Sequence, residues 1–339
     1  MGDRIFSALW GPAAALTVLD RDRKSLVTSP ISTRPQRGAG QTQPAFPVGP
    51  LSPRAWDSNL GIDIAGIRFA LTGLPAPLAR GLQNRFRLFV GPGALSSSPN
   101  LTIRVRPAVV KAYLDFEKQE GPPIYRLETR AHEGRLHVWS YAFAGWFDIS
   151  GTGGEINLCE SPVEPPERSI ENFLRVALAW KASRAGGFLF HASGVVRKGL
   201  AYIFFGPSGS GKTTITRLSP RDILLNDDCI LVSRENGAFV ARGVPFKGSE
   251  AGGAQHTGAF PIAGLFRLVK ARQVFCEKMS AVRAVAEITA SVPFVTESPE
   301  GLENCVSTIE NLARSVRVGR LHFRLAPDFW DTLEEGWNG

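Results

Sequence analysis

From Asn59 to Cys159 the apolar residues come in short runs of β character broken by turn residues: Gly61–Leu71, Arg87–Val90, Leu101–Val110, Ile124–Thr129, Leu136–Ala142 and Glu155–Leu158. This pattern predicts a small β-rich domain over residues 57–162. The proline cluster Ser161-Pro162-Val163-Glu164-Pro165-Pro166 marks a junction, and beyond it the period changes. Ile170, Phe173, Leu174, Ala177 and Leu178 recur at helical spacing, with Ser169 as the expected N-cap and Gly186-Gly187 as the stop. The strand Phe188–Phe190 then runs to His191. Gly194–Val196 and Leu200–Phe205 follow, joined by a tight Lys198-Gly199 turn. Thr213–Leu218 opens a helix, Ile223–Leu225 and Ile230–Val232 read as strands, and so does Phe239–Phe246. Gly248–Gly258 is a glycine-rich loop with the composition of a lid, a substrate loop or an ordinary surface loop. Leu302, Cys305, Val306, Ile309, Leu312, Ala313 and Val316 give an amphipathic helix; Arg320–Leu325 is a last strand and Asp328–Glu335 a terminal helical turn.

Composition adds a leader to this picture. Ser29–Trp56 shifts to Pro, Gly, Gln and Ser, and its six prolines prevent regular elements, so residues 1–56 are expected to be a disordered leader. The chain's 339 residues leave room for two further domains, 57–162 and 163–339. The net charge of +8 suggests nucleic acid at first sight, but half of it sits in the leader and the remainder forms no dense Lys/Arg run, so no nucleic-acid partner is expected. Ile5–Leu19 is apolar but lacks a basic flank before it and is broken by Gly11-Pro12, which argues against both a secretory signal and a membrane anchor. Cys159, Cys229, Cys276 and Cys305 form no C-x-x-C pair, which speaks against a zinc or redox dithiol site and for a cytoplasmic location.

One stretch carries specific chemistry. Gly206-Pro207-Ser208-Gly209-Ser210-Gly211-Lys212-Thr213 satisfies G-x-x-x-x-G-K-[ST] at every fixed position, between an apolar strand and a helix start. Glycines let the backbone turn its N–H groups toward phosphate oxygens. Lys212 supplies a charge for the β/γ phosphates, the Thr213 hydroxyl is placed for Mg2+, and the following helix adds its dipole. Residues Gly206 to Thr214 are therefore the expected nucleotide site. One helix later, Asp227-Asp228 interrupts an apolar strand pair. These acids either face Mg2+ and the transferred phosphoryl group or, with Asn226, form a surface β-turn; their place after the loop favours the first. His132 and His137 read as surface or internally satisfied histidines.

The order His191-Ala192-Ser193-Gly194-Val195, Gly206 to Thr213, and Leu225-Asn226-Asp227-Asp228 resembles the kinase domain of HPr kinase/phosphorylase, whose fold is related to ATP-dependent phosphoenolpyruvate carboxykinase. It also resembles the HPr-kinase-like proteins encoded beside peptide-modification genes. The likeness is specific over about residues 188–246, extends more loosely to the end of the chain, and does not include residues 1–160. It implies that Lys212 and the loop amides bind phosphates, that Thr213 ligates Mg2+, that Asp228 is the base for a serine hydroxyl with Asp227 supporting the metal or the base, and that His191 lies beside the phosphoryl group as a polar or positively charged contact. The family's metal-binding glutamate is absent from Val240-Ala241-Arg242-Gly243, leaving Glu250 as a substitute, and its phosphorolysis motif is not recognisable. The expected fold is α/β: a P-loop kinase domain of the HPr kinase type behind a small β-rich α+β domain. The expected activity is ATP- and Mg2+-dependent phosphoryl transfer to a hydroxyl of a protein, peptide or small molecule. The alternatives are a nucleotide hydrolase and a nucleotide-sensing module without an acceptor. The resemblance also leaves room for a homo-oligomer.

Overall fold

The computed structural model describes residues 17–18, 27–28, 56–91, 98–108, 112–114, 126–161, 164–246, 256–295 and 299–335. Thr17–Val18 (β1) and Val27–Thr28 (β2) pair antiparallel. The rest of the leader lies outside the described residues, and Trp56, its expected last residue, is the first of β3. Also outside them are Pro162-Val163 of the junction, Ile124-Tyr125 of one expected strand, and residues 248–255 of the glycine-rich loop, with Glu250 among them.

The first of two larger sheets contains β3 (Trp56–Ile64), β4 (Ile67–Pro75), β5 (Leu101–Pro107), β6 (Glu128–His132), β7 (Arg135–Trp139), β8 (Phe143–Asp148) and β9 (Gly153–Leu158), in the order β3-β4-β5-β9-β8-β7-β6. The apolar run Gly61–Leu71 is a hairpin rather than one strand. Ala65 and Gly66 take φ values of 56° and 83° and turn β3 into β4. β4 and β5 are parallel, which requires a crossover, and helix α1 (Ala76–Arg85) lies in it. Pro77 in its first turn suits a helix start, yet with Pro75 and Gly81 it hides the helical period in the sequence. Arg87–Val90 is a turn held by a bridge from Val90 to Ile62, not a strand.

Helix α2 (Pro166–Arg184) lies between the sheets. Its N-cap is Pro165 and not Ser169, because Pro166 at N1 already has the φ a helix start needs; the Ser169 hydroxyl instead bonds back to Pro165 O at 3.4 Å. Fourteen of its 19 residues are buried, as expected of a helix covered all round. Phe173 meets Phe143 and Phe147 of the first sheet edge-on, with ring centroids 6.2 and 5.9 Å apart. Trp180 Nε1 donates to Phe294 O, in the C-terminal half, at 2.7 Å.

The second sheet contains β10 (Phe188–Phe190), β11 (Ala192–Arg197), β12 (Leu200–Phe205), β13 (Ile223–Asn226), β14 (Ile230–Glu235), β15 (Ala238–Gly243), β16 (Ala259–Lys270), β17 (Phe275–Lys278) and β18 (Arg317–Phe323). Its order is β10-β14-β15-β16-β12-β11-β13, with β18 added on β16 and β17 on β18. β12, β16 and β18 run parallel. Helices α3 (Lys212–Arg217), α4 (Ala281–Thr289), α5 (Pro299–Ser315) and α6 (Phe329–Glu334) complete the chain. In β12, Ala201, Ile203 and Phe205 join the main core shared with the first sheet, while Tyr202 and Phe204 join a second cluster with Phe329 and Trp330 of α6. Both faces are covered, so this strand has no polar alternation. The chain is thus mixed α/β, and no helix among the described residues is long and apolar enough to cross a membrane.

Candidate functional site

β12 ends at Phe205 and the chain turns through Gly206–Gly211 into α3. Gly206, Gly209 and Gly211 hold φ values of 143°, 77° and 111°, which side-chain-bearing residues rarely adopt. At Gly211 a Cβ would also stand 2.5 Å from the Phe323 ring at the end of β18. The loop therefore sits at the carboxyl ends of the parallel strands, the edge where open α/β sheets place ligands. Pro207, Ser208 and Gly209 are exposed, and Ser210, Thr213 and Thr214 half-buried. α3 has only six residues, too few for the expected dipole to matter much, so the positive charge of the loop rests on Lys212.

Lys212 is 9% exposed. Its ammonium donates to Gly206 O at 2.9 Å and Pro207 O at 3.4 Å, two carbonyls of its own loop, and among the described residues no carboxylate lies within ion-pair range of it. Burial pushes its pKa down, against the pull of Asp228.

Asp227 and Asp228 are placed by Asn226, which is fully buried. Its amide donates to Val244 O at 2.9 Å and Phe246 O at 2.8 Å, and its oxygen accepts from the N–H groups of Asp228 at 2.9 Å and Cys229 at 3.2 Å. Asn226 is turn chemistry, as expected, but the turn is not at the surface: Asp227 is buried. Asp228 is the more open of the two acids, its side chain 21% exposed. One of its oxygens lies 3.3 Å from His191 Nδ1, at the β10–β11 junction; the other lies 3.4 Å from Arg175 Nη1 of α2. Arg175 also lies 3.4 Å from Glu171 and over the Phe246 ring, and Glu171 pairs with Arg85 of α1.

The His191 pKa is pushed down to about 4, first by burial and then by Lys212 and Arg175, against Asp228. Desolvation disfavours the imidazolium, so the ring is neutral at neutral pH. A His191 ring nitrogen, an Asp228 oxygen and Cys229 Sγ lie within 4.8 Å of one another. Burial, with Asp228 beside it, pushes the Cys229 thiol up, so it stays protonated. Thr213 and Asp227, the expected metal residues, are oxygen donors of the kind Mg2+ takes.

Sequence reasoning assigned no role to Arg175 or Glu171, took Asn226 only as turn chemistry and a motif residue, and counted Cys229 only among the unpaired cysteines. The first two did carry a signal, being opposite charges four apart inside an apolar helix, where each is costly unless paired. His132 and His137 remain on the first sheet, in β6 and β7.

Residues 169–336 match the family model described as SynChlorMet cassette protein ScmC. That span opens inside α2 and holds the glycine-rich loop, Asp227 and Asp228. No curated protein matches the chain. Among solved structures the chain is similar to the HPr(Ser) kinase/phosphatase from Coxiella burnetii, with 13% identity, a TM-score of 0.27, and coverage of 43% of this chain and 88% of that one.

Proposed function

We propose that this protein is an ATP-dependent phosphotransferase that moves the γ-phosphoryl group to a hydroxyl, in the manner of a serine kinase. The observation that carries this reading is Lys212: a buried ammonium at the mouth of a glycine-rich turn, bonded to two carbonyls of that turn and, among the described residues, with no carboxylate in ion-pair range, near a carboxylate supported by a neutral histidine. A buried cation without an anionic partner is costly, and phosphate oxygens would supply one. Phosphoryl transfer asks little covalent chemistry of a protein and much positioning and charge, which fits this set of groups.

In this reading the loop N–H groups and Lys212 hold the phosphates. Asp228, the open carboxylate, accepts the proton of the acceptor hydroxyl as oxygen attacks the γ-phosphorus and the bond to the β-phosphate oxygen breaks, leaving ADP. His191, uncharged, donates to Asp228 and fixes which oxygen is free to take the proton. Thr213 and Asp227 would hold Mg2+, whose chemistry when bound is to neutralise phosphate charge.

The test is γ-labelled ATP with Mg2+, offered HPr, free serine and serine-bearing peptides, using wild type, Lys212→Ala and Asp228→Asn. Label is expected on an acceptor with wild type only, and Asp228→Asn should still bind ATP. ATP binding that survives Lys212→Ala undiminished would remove the loop from the site. ATP binding with slow phosphate release and no labelled acceptor would identify a hydrolase or a nucleotide sensor instead.

A further inference from the structure

The chain of alternating charges that ends on Asp228 runs through the interior. Arg85 closes α1 and pairs with Glu171 on α2. Glu171 lies 3.4 Å from Arg175, one helical turn on, and Arg175 lies 3.4 Å from Asp228. Glu171 and Arg175 are 3% and 4% exposed, between two more open ends, Arg85 at 26% and Asp228 at 21%. The crossing is close: a Cβ on Gly81 of α1 would lie 2.6 Å from Glu167 Oε1 of α2, and one turn further along both helices Arg85 meets Glu171. Buried ion pairs are weak contributors to stability compared with apolar residues of the same volume. A chain of them that ends on an open carboxylate beside the glycine-rich loop needs another reason to exist.

We infer that Arg175 is a positioning residue for phosphoryl transfer: it holds one oxygen of Asp228 and leaves the other to His191, and Arg85 acts through Glu171 to hold Arg175. This deepens the proposed function and rests on it. Arg85 lies outside the residues that match the family model, so the first sheet, through α1, takes part in aiming the base. The planar guanidinium suits the task, since two of its nitrogens face Glu171 and Asp228 at once and Phe246 lies against it at 5.4 Å. A lysine could reach one carboxylate, not both.

The experiment compares Arg175→Met, Arg175→Lys and Arg85→Met with wild type in ATP binding and in kcat and KM for the acceptor. Arg175→Met should lower kcat by about 10–100-fold, the scale of a misplaced catalytic group, with the ATP dissociation constant within about two-fold of wild type. Arg175→Lys should recover part of that loss, and Arg85→Met should lower kcat by less, again without affecting ATP. Equal losses of ATP binding and kcat in all three variants, or kcat within two-fold of wild type, would overturn the inference. If Arg175→Met does not fold, the other two decide on the same criteria. Should wild type label no acceptor, the function reading has failed, and NMR titration of the His191 ring still tests the contact. That ring faces Asp228, Lys212, Arg175 and Cys229. Removing the Arg175 charge should move its titration upward from about 4, and an unmoved titration would show that Arg175 does not reach this cluster.

Discussion

In the first sheet, β5 alternates buried Leu101, Ile103 and Val105 with exposed Thr102, Arg104 and Arg106; in the second, β12 buries every residue from Ala201 to Phe205. The register of the first sheet extends its alternation into a row, Arg104 beside Glu155, then Trp146, His137 and Arg130. One face of that sheet lies on α2 and the other carries charged and aromatic groups; Arg135, for instance, lies 3.9 Å over the Trp146 ring. β12 has α6 on one side and the shared core on the other, so polar residues collect where the chain leaves that sheet. The glycine-rich loop follows β12 and Asp227-Asp228 follows β13, which is why the candidate site lies along that edge.

The comparison can be broken most directly with a pair of truncations. Phe204→Ala in β12 empties a site between Phe266, Phe329 and Trp330, and should cost about 3–5 kcal/mol in urea unfolding. Arg104→Ala on the outer face of β5 should stay within about 0.5 kcal/mol. Similar costs for the two would mean that the outer face of the first sheet is covered, and the contrast between the sheets would be lost.

A substitution at Gly145 asks whether the single covered face of the first sheet is packed as tightly as the faces of the second. A Cβ there would stand 2.5 Å from Glu155 O and 2.7 Å from the Phe173 ring. Backbone cannot yield as a flexible side chain does, so Gly145→Ala should fall at the upper end of the roughly 1–3 kcal/mol typical of overpacking, seen as a lower urea midpoint. A neutral result would show that α2 does not press on β8.

The same contrast governs what could be read in advance. Phe188–Phe190 and Leu200–Phe205 were legible because strands covered on both faces are continuous apolar runs, and the glycine-rich loop because its backbone tolerates few other residues at Gly206, Gly209 and Gly211. α1 was hidden by Pro75, Pro77 and Gly81, and β16 by Pro261 and Gly264 inside its 12 residues, although it is the strand that joins β15, β12 and β18. Within the candidate site, Lys212 stands out by the spacing of the glycine-rich motif and Asp227-Asp228 as two acids in an apolar strand pair, while His191 was singled out by the resemblance alone. Arg175 did not stand out, because its meaning depends on Asp228, 53 residues away in sequence, and pairings at that separation are decided by the fold.

The smallest effect concerns the joint between the two sheets. Lys181, near the end of α2, donates to the carbonyls of Asp148, Ile149 and Gly151 at 2.9, 3.2 and 2.6 Å and so closes the β8–β9 turn. Its pKa is pushed down to about 8, by burial first and then by Arg184, against Asp148. The three carbonyls favour the charged form, so burial outweighs them. Between about pH 8 and the lysine's ordinary value of 10.5, the unfolded chain holds more of this proton than the folded one, so this group's contribution to stability rises with pH across that window. Lys181→Met should cost about 1–2 kcal/mol at pH 7, since it leaves carbonyls unpaired while relieving a buried charge. It should also flatten the rise between pH 8 and 10 in urea midpoints. A variant with the wild-type slope would place the proton elsewhere. A variant as stable as wild type at pH 7 would mean that water takes up the turn's carbonyls, and that the first sheet is joined to α2 by its apolar face alone.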